Sequence, residues 1–222
     1  MNAIKNIEFN KVISLNELVP YGEKTINSMM IALKNSLNSA IFAFDKGELL
    51  SEHSAPADAL VYILDGELEI SINKVIHKVK KGEMILMPAN IPHALKAIEK
   101  AKMLLIIVKK HEDIGGFINL EYSKNLLMKD LLIGFKGGVV SKRILNLENL
   151  TSLMFAISEN EEIEHNQTEG ELFILNLDGE LNVTVNKHKE TLKEDQVLVI
   201  PPNTLYEIKA KTDNKFILIE IN

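Results

Sequence analysis

Two histidines, His53 and His93, are the residues of this 222-residue chain whose types and spacing best suit chemistry. Each lies in a polar stretch punctuated by glycine and proline, with Gly47 and Pro56 around His53 and Pro88 five positions before His93. An imidazole ring can bind a transition metal or exchange a proton near neutral pH. If the two rings share a site, we expect either a bound divalent cation or one neutral and one protonated ring, because two like charges repel at short range.

Short apolar runs separated by Gly and Asn turns must position these histidines. We expect strands at 26–33, 39–44, 60–64, 67–72, 75–79, 84–87 and 103–108. Their spacing of roughly 8–12 residues is typical of a β-sandwich or a closed barrel. One short helix is predicted near the start, where Ser14 and Glu17 form a capping box.

The pattern of the first half of the chain returns 113 positions later, as when the LDGEL run Leu64–Leu68 recurs at Leu177–Leu181. One slip interrupts the register, since His165 lies 112 positions after His53. We therefore predict a tandem duplication with an N-terminal domain at 1–112 and a C-terminal domain at 113–222. The join is expected at 111–119.

The stretch from Gly47 to His93 resembles the two signature motifs of the cupin superfamily, which consists of small β-barrels that often hold a metal ion. In the first motif Gly47, His53 and Gly66 match, while Ala55 and Ala59 replace the second His and the Glu. The second motif is matched by Gly82, Pro88 and His93, and departs from the family at Asn90 and Ala97.

This resemblance implies an all-β fold of two tandem jelly-roll barrels with short flanking helices, in which the two barrels form an intramolecular pseudo-dimer. Cupins commonly dimerise, so a homodimer of the whole chain is a further expectation.

The resemblance also implies four metal-ligand positions, of which only His53 and His93 keep a ligating residue. Two imidazoles leave a first-row metal short of its usual three protein ligands. Water, Glu48 or Asp58 are the candidates for the remaining positions, although strand parity turns Asp58 away. Zn, Ni, Fe and Mn are not distinguished by such a set. In a metal-free pocket, Asp58 and Tyr62 are expected neighbours of the two histidines.

The second copy of the motif is degenerate. His165, Gln167 and Glu171 reproduce the spacing of the family's first motif, with Gln in place of the second His, whereas counting back from Gly179 puts the last ligand position on Leu172. Tyr206 stands where the final His belongs. We therefore expect the site in the first barrel.

The composition and motif content of the chain argue against several classes of protein function. A formal charge of −6 with interspersed basic residues does not favour a nucleic-acid surface. The chain has no Cys, so thiolate chemistry and disulfides are excluded. Without an apolar leader or an apolar run of about 18 residues, we expect a cytoplasmic protein with no membrane contact. No serine-hydrolase, P-loop or dinucleotide-binding motif is present.

Two interpretations of function remain open. The first is a small-molecule binding or sensing protein whose pocket lies at the mouth of the first barrel, because the two Ala replacements open space there. The alternative is an enzyme of the cupin type. This would be either a metal-dependent dioxygenase or isomerase, or a metal-free isomerase or epimerase that uses His and Tyr as base and acid.

Overall fold

The computed structural model describes residues 2–34, 37–109, 116–134 and 136–222, and only the backbone of His165. His111 and most of the predicted join lie outside these residues. The described ranges are mostly β-strand, which confirms the all-β class, and they contain no helix long and apolar enough to cross a membrane.

The elements of the N-terminal half are β1 (Ile13–Ser14), α1 (Leu15–Leu18), β2 (Ile26–Lys34), β3 (Leu37–Phe44), β4 (Leu49–His53), β5 (Asp58–Asp65), β6 (Glu67–Ile72), β7 (Val75–Lys80), β8 (Glu83–Met87), β9 (His93–Ala97), β10 (Ala101–Val108), β11 (Gly116–Phe117) and β12 (Leu126–Leu127). The predicted short helix is α1, which begins directly after Ser14.

The C-terminal half begins with a 3-10 helix at Met128–Leu131. It continues with β13 (Val139–Leu147), β14 (Leu150–Ile157), β15 (Glu162–Gln167), β16 (Glu171–Asp178), β17 (Leu181–Val185), β18 (His188–Leu192), β19 (Gln196–Ile200), β20 (Leu205–Ala210) and β21 (Asn214–Ile221).

The chain forms two compact units. The first unit is Leu15–Met128, and the second consists of residues 2–14 with Lys129–Asn222. These units differ from the predicted domains 1–112 and 113–222 because two short segments pair with strands of the opposite repeat. Ile13–Ser14 pairs with β19, and Leu126–Leu127 pairs with β8.

The first unit has two antiparallel sheets. One has the strand order β12-β8-β5-β10-β3-β2 and the other has the order β4-β9-β6-β7. In β6 the residues Leu68, Ile70 and Ile72 are buried and alternate with more exposed polar residues, which is the pattern of a strand with one face on a core. The inward faces of the sheets share one apolar cluster, to which β5 contributes Val61 and Ile63.

The second unit repeats this arrangement. Within it, one sheet has the order β1-β19-β16-β21-β14-β13 and the other has the order β15-β20-β17-β18. Its core cluster includes Leu181, Val183 and Val185, the buried residues of β17.

The strand bounds confirm the tandem duplication. Adding 113 to the limits of β2, β3, β5, β8 and β10 gives the limits of β13, β14, β16, β19 and β21. The hairpin turns repeat as well, since Asn73 and Lys74 have φ of 48° and 68°, and Asn186 and Lys187 have φ of 46° and 74°. Two consecutive residues in this left-handed region form the turn that best matches the twist of a two-residue hairpin.

The predicted one-residue slip is wrong. His53 lies opposite His93 in the ladder between β4 and β9, and Asn166 lies opposite Tyr206 in the ladder between β15 and β20. Asn166, which is 113 positions after His53, is therefore its structural equivalent, and the register holds through the whole strand.

Candidate functional site

A β-bulge brings His53 to the inner face of the first unit. The pairs Leu50–Leu95 and His53–His93 leave two intervening residues on β4 against one on β9. Since Leu50 packs against the core cluster, Glu52 would face inward in a regular strand. The extra residue turns His53 to that side instead, as bulges commonly do beside functional sites.

His93 begins strand β9 on the side that faces the barrel interior. His93, Leu95 and Ala97 are buried, and Leu95 and Ala97 belong to the core cluster. Ile72, which lies opposite His93 on β6, is buried in the same cluster. The His93 ring is thus placed between an apolar interior and the exposed His53.

The two imidazole rings lie in contact. Their centroids are 4.5 Å apart and their planes meet at 63°, an edge-to-face arrangement. Nδ1 of His53 is 2.8 Å from the Ser51 carbonyl oxygen, and Nδ1 of His93 is 2.9 Å from the Ile91 carbonyl oxygen. Because a carbonyl oxygen only accepts, each Nδ1 carries a proton and donates it. In the neutral rings, both Nε2 atoms are therefore left with a lone pair for a ligand.

The environment favours a neutral His93. Burial lowers the pKa of His93, the hydrogen bond to Ile91 opposes this shift, and the charge that His53 carries when protonated lowers it further. An ordinary histidine has a pKa near 6.5, so His93 remains neutral at pH 7. The pair can then combine one acceptor, His93 Nε2, with a donor whenever His53 is protonated.

The two positions where the family motif has ligands but this chain has Ala remain apolar. Ala59 is buried in the core cluster and lies opposite Met87 on β8. Ala55 has its carbonyl oxygen 2.7 Å from the Asn90 amide, which donates to it.

Asp58 is not brought to the histidine pair, as strand parity predicts. It is 1% exposed. Its Oδ1 accepts a 2.9 Å hydrogen bond from the Ala89 amide, and its Oδ2 accepts a 2.6 Å hydrogen bond from the Tyr122 hydroxyl. The carboxylate therefore ties the strand to its neighbouring segments. No pattern in the sequence identifies Tyr122 as its partner.

Tyr62 is also buried, but on the face of β5 opposite that of Ala59, Val61 and Ile63. Since alternate residues of a strand face opposite sides, its side chain leaves the barrel interior. The structure does not bring this predicted neighbour to the two histidines.

A metal at the pair would have two protein ligands. Among the described residues, no group of three or more His, Cys, Asp or Glu side chains is arranged to hold a metal ion. The usual protein set for a transition metal has at least three such groups. The residues therefore do not fit a conventional metal centre, and the chemistry considered below uses the imidazoles alone.

In the second unit, the described side chains of the predicted motif residues have different surroundings. Gln167 is exposed, and the side chain of His165 lies outside the described residues. Glu171 is 6% exposed and accepts hydrogen bonds of 2.9 and 2.7 Å from the amides of Ala3 and Ile4. Glu171 is the counterpart of Asp58 and anchors a chain segment in the same way.

Tyr206 takes the place of His93 in this second unit. Burial, reinforced by Glu220, raises the pKa of Tyr206 to about 12, so the phenol stays protonated. Of the two other described histidines, His188 is exposed beside Glu190 and His77 is half-buried. Among the described histidine side chains, two imidazoles therefore meet in the first unit.

Comparisons with known proteins agree with this fold. The family model described as Cupin domain matches residues 40–109. The chain is similar to a Cupin 2 conserved barrel domain protein from Leptotrichia buccalis, with 22% identity, a TM-score of 0.86 and coverage of 99% of this chain and 100% of that one.

Two further solved structures are more distant. AerE from Microcystis aeruginosa has 17% identity and a TM-score of 0.54, with 96% of each chain covered. A salicylate 1,2-dioxygenase from Pseudoaminobacter salicylatoxidans, as its adduct with gentisate, has 13% identity and a TM-score of 0.63, with 93% of this chain and 76% of that one covered. At these identities the likeness shows the fold alone. The comparison with curated proteins gives no match.

Proposed function

Since this chain belongs to the cupin superfamily, we propose that it uses the mouth of its first barrel to bind a small organic ligand between His53 and His93. The observation that supports this most directly is the free Nε2 of each ring, which follows from the two Nδ1–carbonyl contacts. Two convergent polar groups over an apolar interior are the usual features of a small-molecule site.

The two ring nitrogens suggest the class of ligand. A neutral His93 presents an acceptor at Nε2, and the His53 ring presents a donor at Nε2 in its protonated form. A small hydroxy acid matches both, because its hydroxyl donates to His93 and its carboxylate accepts from His53. The charge-assisted contact to the carboxylate would supply most of the polar affinity.

Calorimetric titration with lactate, as the simplest 2-hydroxy acid, tests this proposal. The His53→Ala/His93→Ala double variant should lose binding. The matched control is Asn166→Ala/Tyr206→Phe, which changes the equivalent pair of the second unit and should bind as the unchanged protein does. Binding that survives the first double variant but is lost in the second would place the site in the C-terminal barrel.

An enzymatic role is the second candidate. The buried, neutral His93 has the features of a general base, because its lowered pKa leaves the ring unprotonated at pH 7. This supports a metal-free isomerase or epimerase that binds the hydroxy acid with the hydrogen on the carbon beside the carboxylate, instead of the hydroxyl, toward His93 Nε2, so that the ring takes this proton and returns it. Incubation in deuterated water would reveal it as deuterium incorporated at the carbon beside the carboxylate, dependent on His93. If no exchange occurs in a protein that binds lactate, the function is binding alone.

A further inference from the structure

In the first unit, the phenol side chain of Tyr21 is held by a carboxylate and an ammonium group. The Tyr21 hydroxyl donates a 2.7 Å hydrogen bond to Asp65 Oδ2, and the Lys102 ammonium lies 4.6 Å from the centre of the Tyr21 ring. Lys102 is held there by a hydrogen bond to the Asn16 carbonyl oxygen. The tyrosine is thus recognised at its hydroxyl by a carboxylate and at its ring by a cation.

The second unit repeats the groups that surround this tyrosine. Asp178 and Lys215 are 113 positions after Asp65 and Lys102. The Lys215 ammonium donates a 2.7 Å hydrogen bond to the Lys129 carbonyl oxygen, the counterpart of the contact between Lys102 and Asn16.

The tyrosine itself is absent from the second copy, because Gly134 occupies the position equivalent to Tyr21. The described loop backbone corresponds in both units. Lys24 and its counterpart Gly137 have φ of 49° and 74°. The Asp45–Thr25 backbone hydrogen bond of 3.1 Å likewise corresponds to a bond of 3.0 Å between Ser158 and Gly138. The described part of the loop is therefore preserved, while the tyrosine side chain of the first copy has no equivalent at Gly134.

A cavity of about 690 Å³ lies at this place in the second unit, lined by Gly134, Ala156, Asp178, Asn214 and Lys215 among others. Its volume is within the range of small-molecule sites, about 300–1,000 Å³. Asn214 is 3% exposed, and its side-chain amide has no hydrogen-bond partner among the described residues. A buried amide without a partner is costly and points to a bound polar group that satisfies it.

We propose that the second unit binds a small phenol in this cavity, with the aromatic ring in the place that the Tyr21 side chain takes in the first unit. The phenol hydroxyl donates to Asp178, and Lys215 contacts the ring as Lys102 contacts Tyr21. Asp178 also lies 3.5 Å from the Lys129 ammonium, and its carboxylate has enough acceptor positions for both partners. The Asn214 amide is available to a polar substituent on the ring. This site is separate from the histidine pair of the first unit.

Titration with 4-methylphenol, followed by calorimetry and by amide shifts of Gly134 and Asn214 in NMR spectra, tests this proposal. We expect one site in the unchanged protein, and weaker binding of toluene because it lacks the hydroxyl. The Asp178→Asn variant should bind 4-methylphenol about tenfold more weakly while its affinity for toluene stays the same, since a hydrogen bond to a charged group is lost.

Single substitutions at the two equivalent positions, Gly134 and Tyr21, give the matched controls. Gly134→Tyr should abolish binding by supplying the phenol internally; its added Cβ would lie 3.3 Å from the Ala156 side chain, a contact that a small shift relieves. Tyr21→Gly should open a second site, raise the stoichiometry to two and regain melting temperature when 4-methylphenol is added.

Binding that is unchanged in Gly134→Tyr would overturn the proposal. If Tyr21→Gly does not fold, the affinities of the unchanged protein and of Gly134→Tyr for 4-methylphenol decide whether the proposal holds. Phe135 follows Gly134 and lies outside the described residues, so Phe135→Ala is tested as well. If only that variant binds 4-methylphenol, the cavity is closed in the natural chain and the proposal is wrong.

Discussion

Tyr122 and Asp58 form a 2.6 Å hydrogen bond in which the phenol donates to a carboxylate that is 1% exposed. Tyr122 belongs to the segment before the second repeat, whereas Asp58 begins β5 of the first repeat. In the second unit, Phe9 is the counterpart of Tyr122, and Phe9 and Tyr122 make equivalent parallel bridges to Val199 and Leu86. Each unit is thus completed by the segment that precedes the other repeat in the sequence.

The hydrogen bond between Tyr122 and Asp58 predicts the effect of removing the Tyr122 hydroxyl. Tyr122→Phe should lower the free energy of unfolding by about 1–2 kcal/mol, because the buried Asp58 carboxylate loses a hydrogen-bond donor. Urea unfolding measures the change. The matched control is Phe9→Tyr, which should give no gain, since both Glu171 oxygens already accept amide hydrogens. A Tyr122→Phe protein as stable as the unchanged one would show that the hydrogen bond does not anchor the segment.

Two glycines with similar backbone conformations allow steric clash to be separated from backbone strain. Gly66 and Gly47 have φ of 72° and 87°, so either substitution by Ala should cost about 1–2 kcal/mol in strain. An added Cβ at Gly66 would lie 2.1 Å from the Lys100 carbonyl oxygen, whereas nothing lies within 4 Å at Gly47. We therefore expect Gly66→Ala to lower the melting temperature clearly more than Gly47→Ala. Equal losses would mean that the turn adjusts around Gly66.

The lowered pKa of His93 predicts the direction of a pH effect on stability. Because its pKa is lower in the folded protein than in the unfolded chain, the unfolded chain binds the proton more readily. The contribution to stability is fully present above about pH 6.5, the ordinary value, and is lost as pH falls through the folded-state pKa. Unfolding in urea between pH 5 and 8 should show this loss in the unchanged protein and a smaller one in His93→Gln.

His188→Gln is the control for that experiment, since the His188 side chain is 76% exposed. This variant should keep the pH profile of the unchanged protein. If His93→Gln and the unchanged protein have parallel profiles, the buried imidazole is not the group responsible.

Metal content is a further prediction. Protein purified without a histidine tag or chelator should contain well below one equivalent of Zn, Ni, Fe or Mn by elemental analysis, because two imidazoles leave the ligand set incomplete. The His53→Ala/His93→Ala variant provides the background value. Near-stoichiometric metal that disappears in this variant would favour the metal-dependent cupin enzyme instead.

The duplication and the all-β barrels could be predicted because turn residues and apolar runs are local signals that recur at one offset. The pairing of the two short segments could not be predicted. Ile13–Ser14 and Leu126–Leu127 are two-residue strands whose partners lie far away in the sequence. Nothing in their composition identifies β19 or β8 as the neighbour. The predicted domain limits therefore missed this arrangement.

At the candidate site, the spacing of the motif histidines predicts the pair in the first unit. Residue type alone gives the wrong counterpart of His53 in the second unit. Residue type matches His165 to His53, although the ladder makes Asn166 the counterpart. A bulge in each copy shifts which residue faces inward, and bulges leave no clear pattern in sequence. Tyr62 is predicted as a neighbour of the pair, but strand parity places it on the other face.

NMR of protein with ¹⁵N-labelled histidine tests whether His53 and His93 together bind a hydroxy acid. Lactate is added at pH 7, and the Nε2 resonances of the six histidines are followed. We expect the Nε2 resonances of His53 and His93 to shift, that of His93 as an accepting nitrogen, while those of the other four histidines stay unchanged. Shifts confined to other histidines, or no shift at saturating lactate, would contradict it.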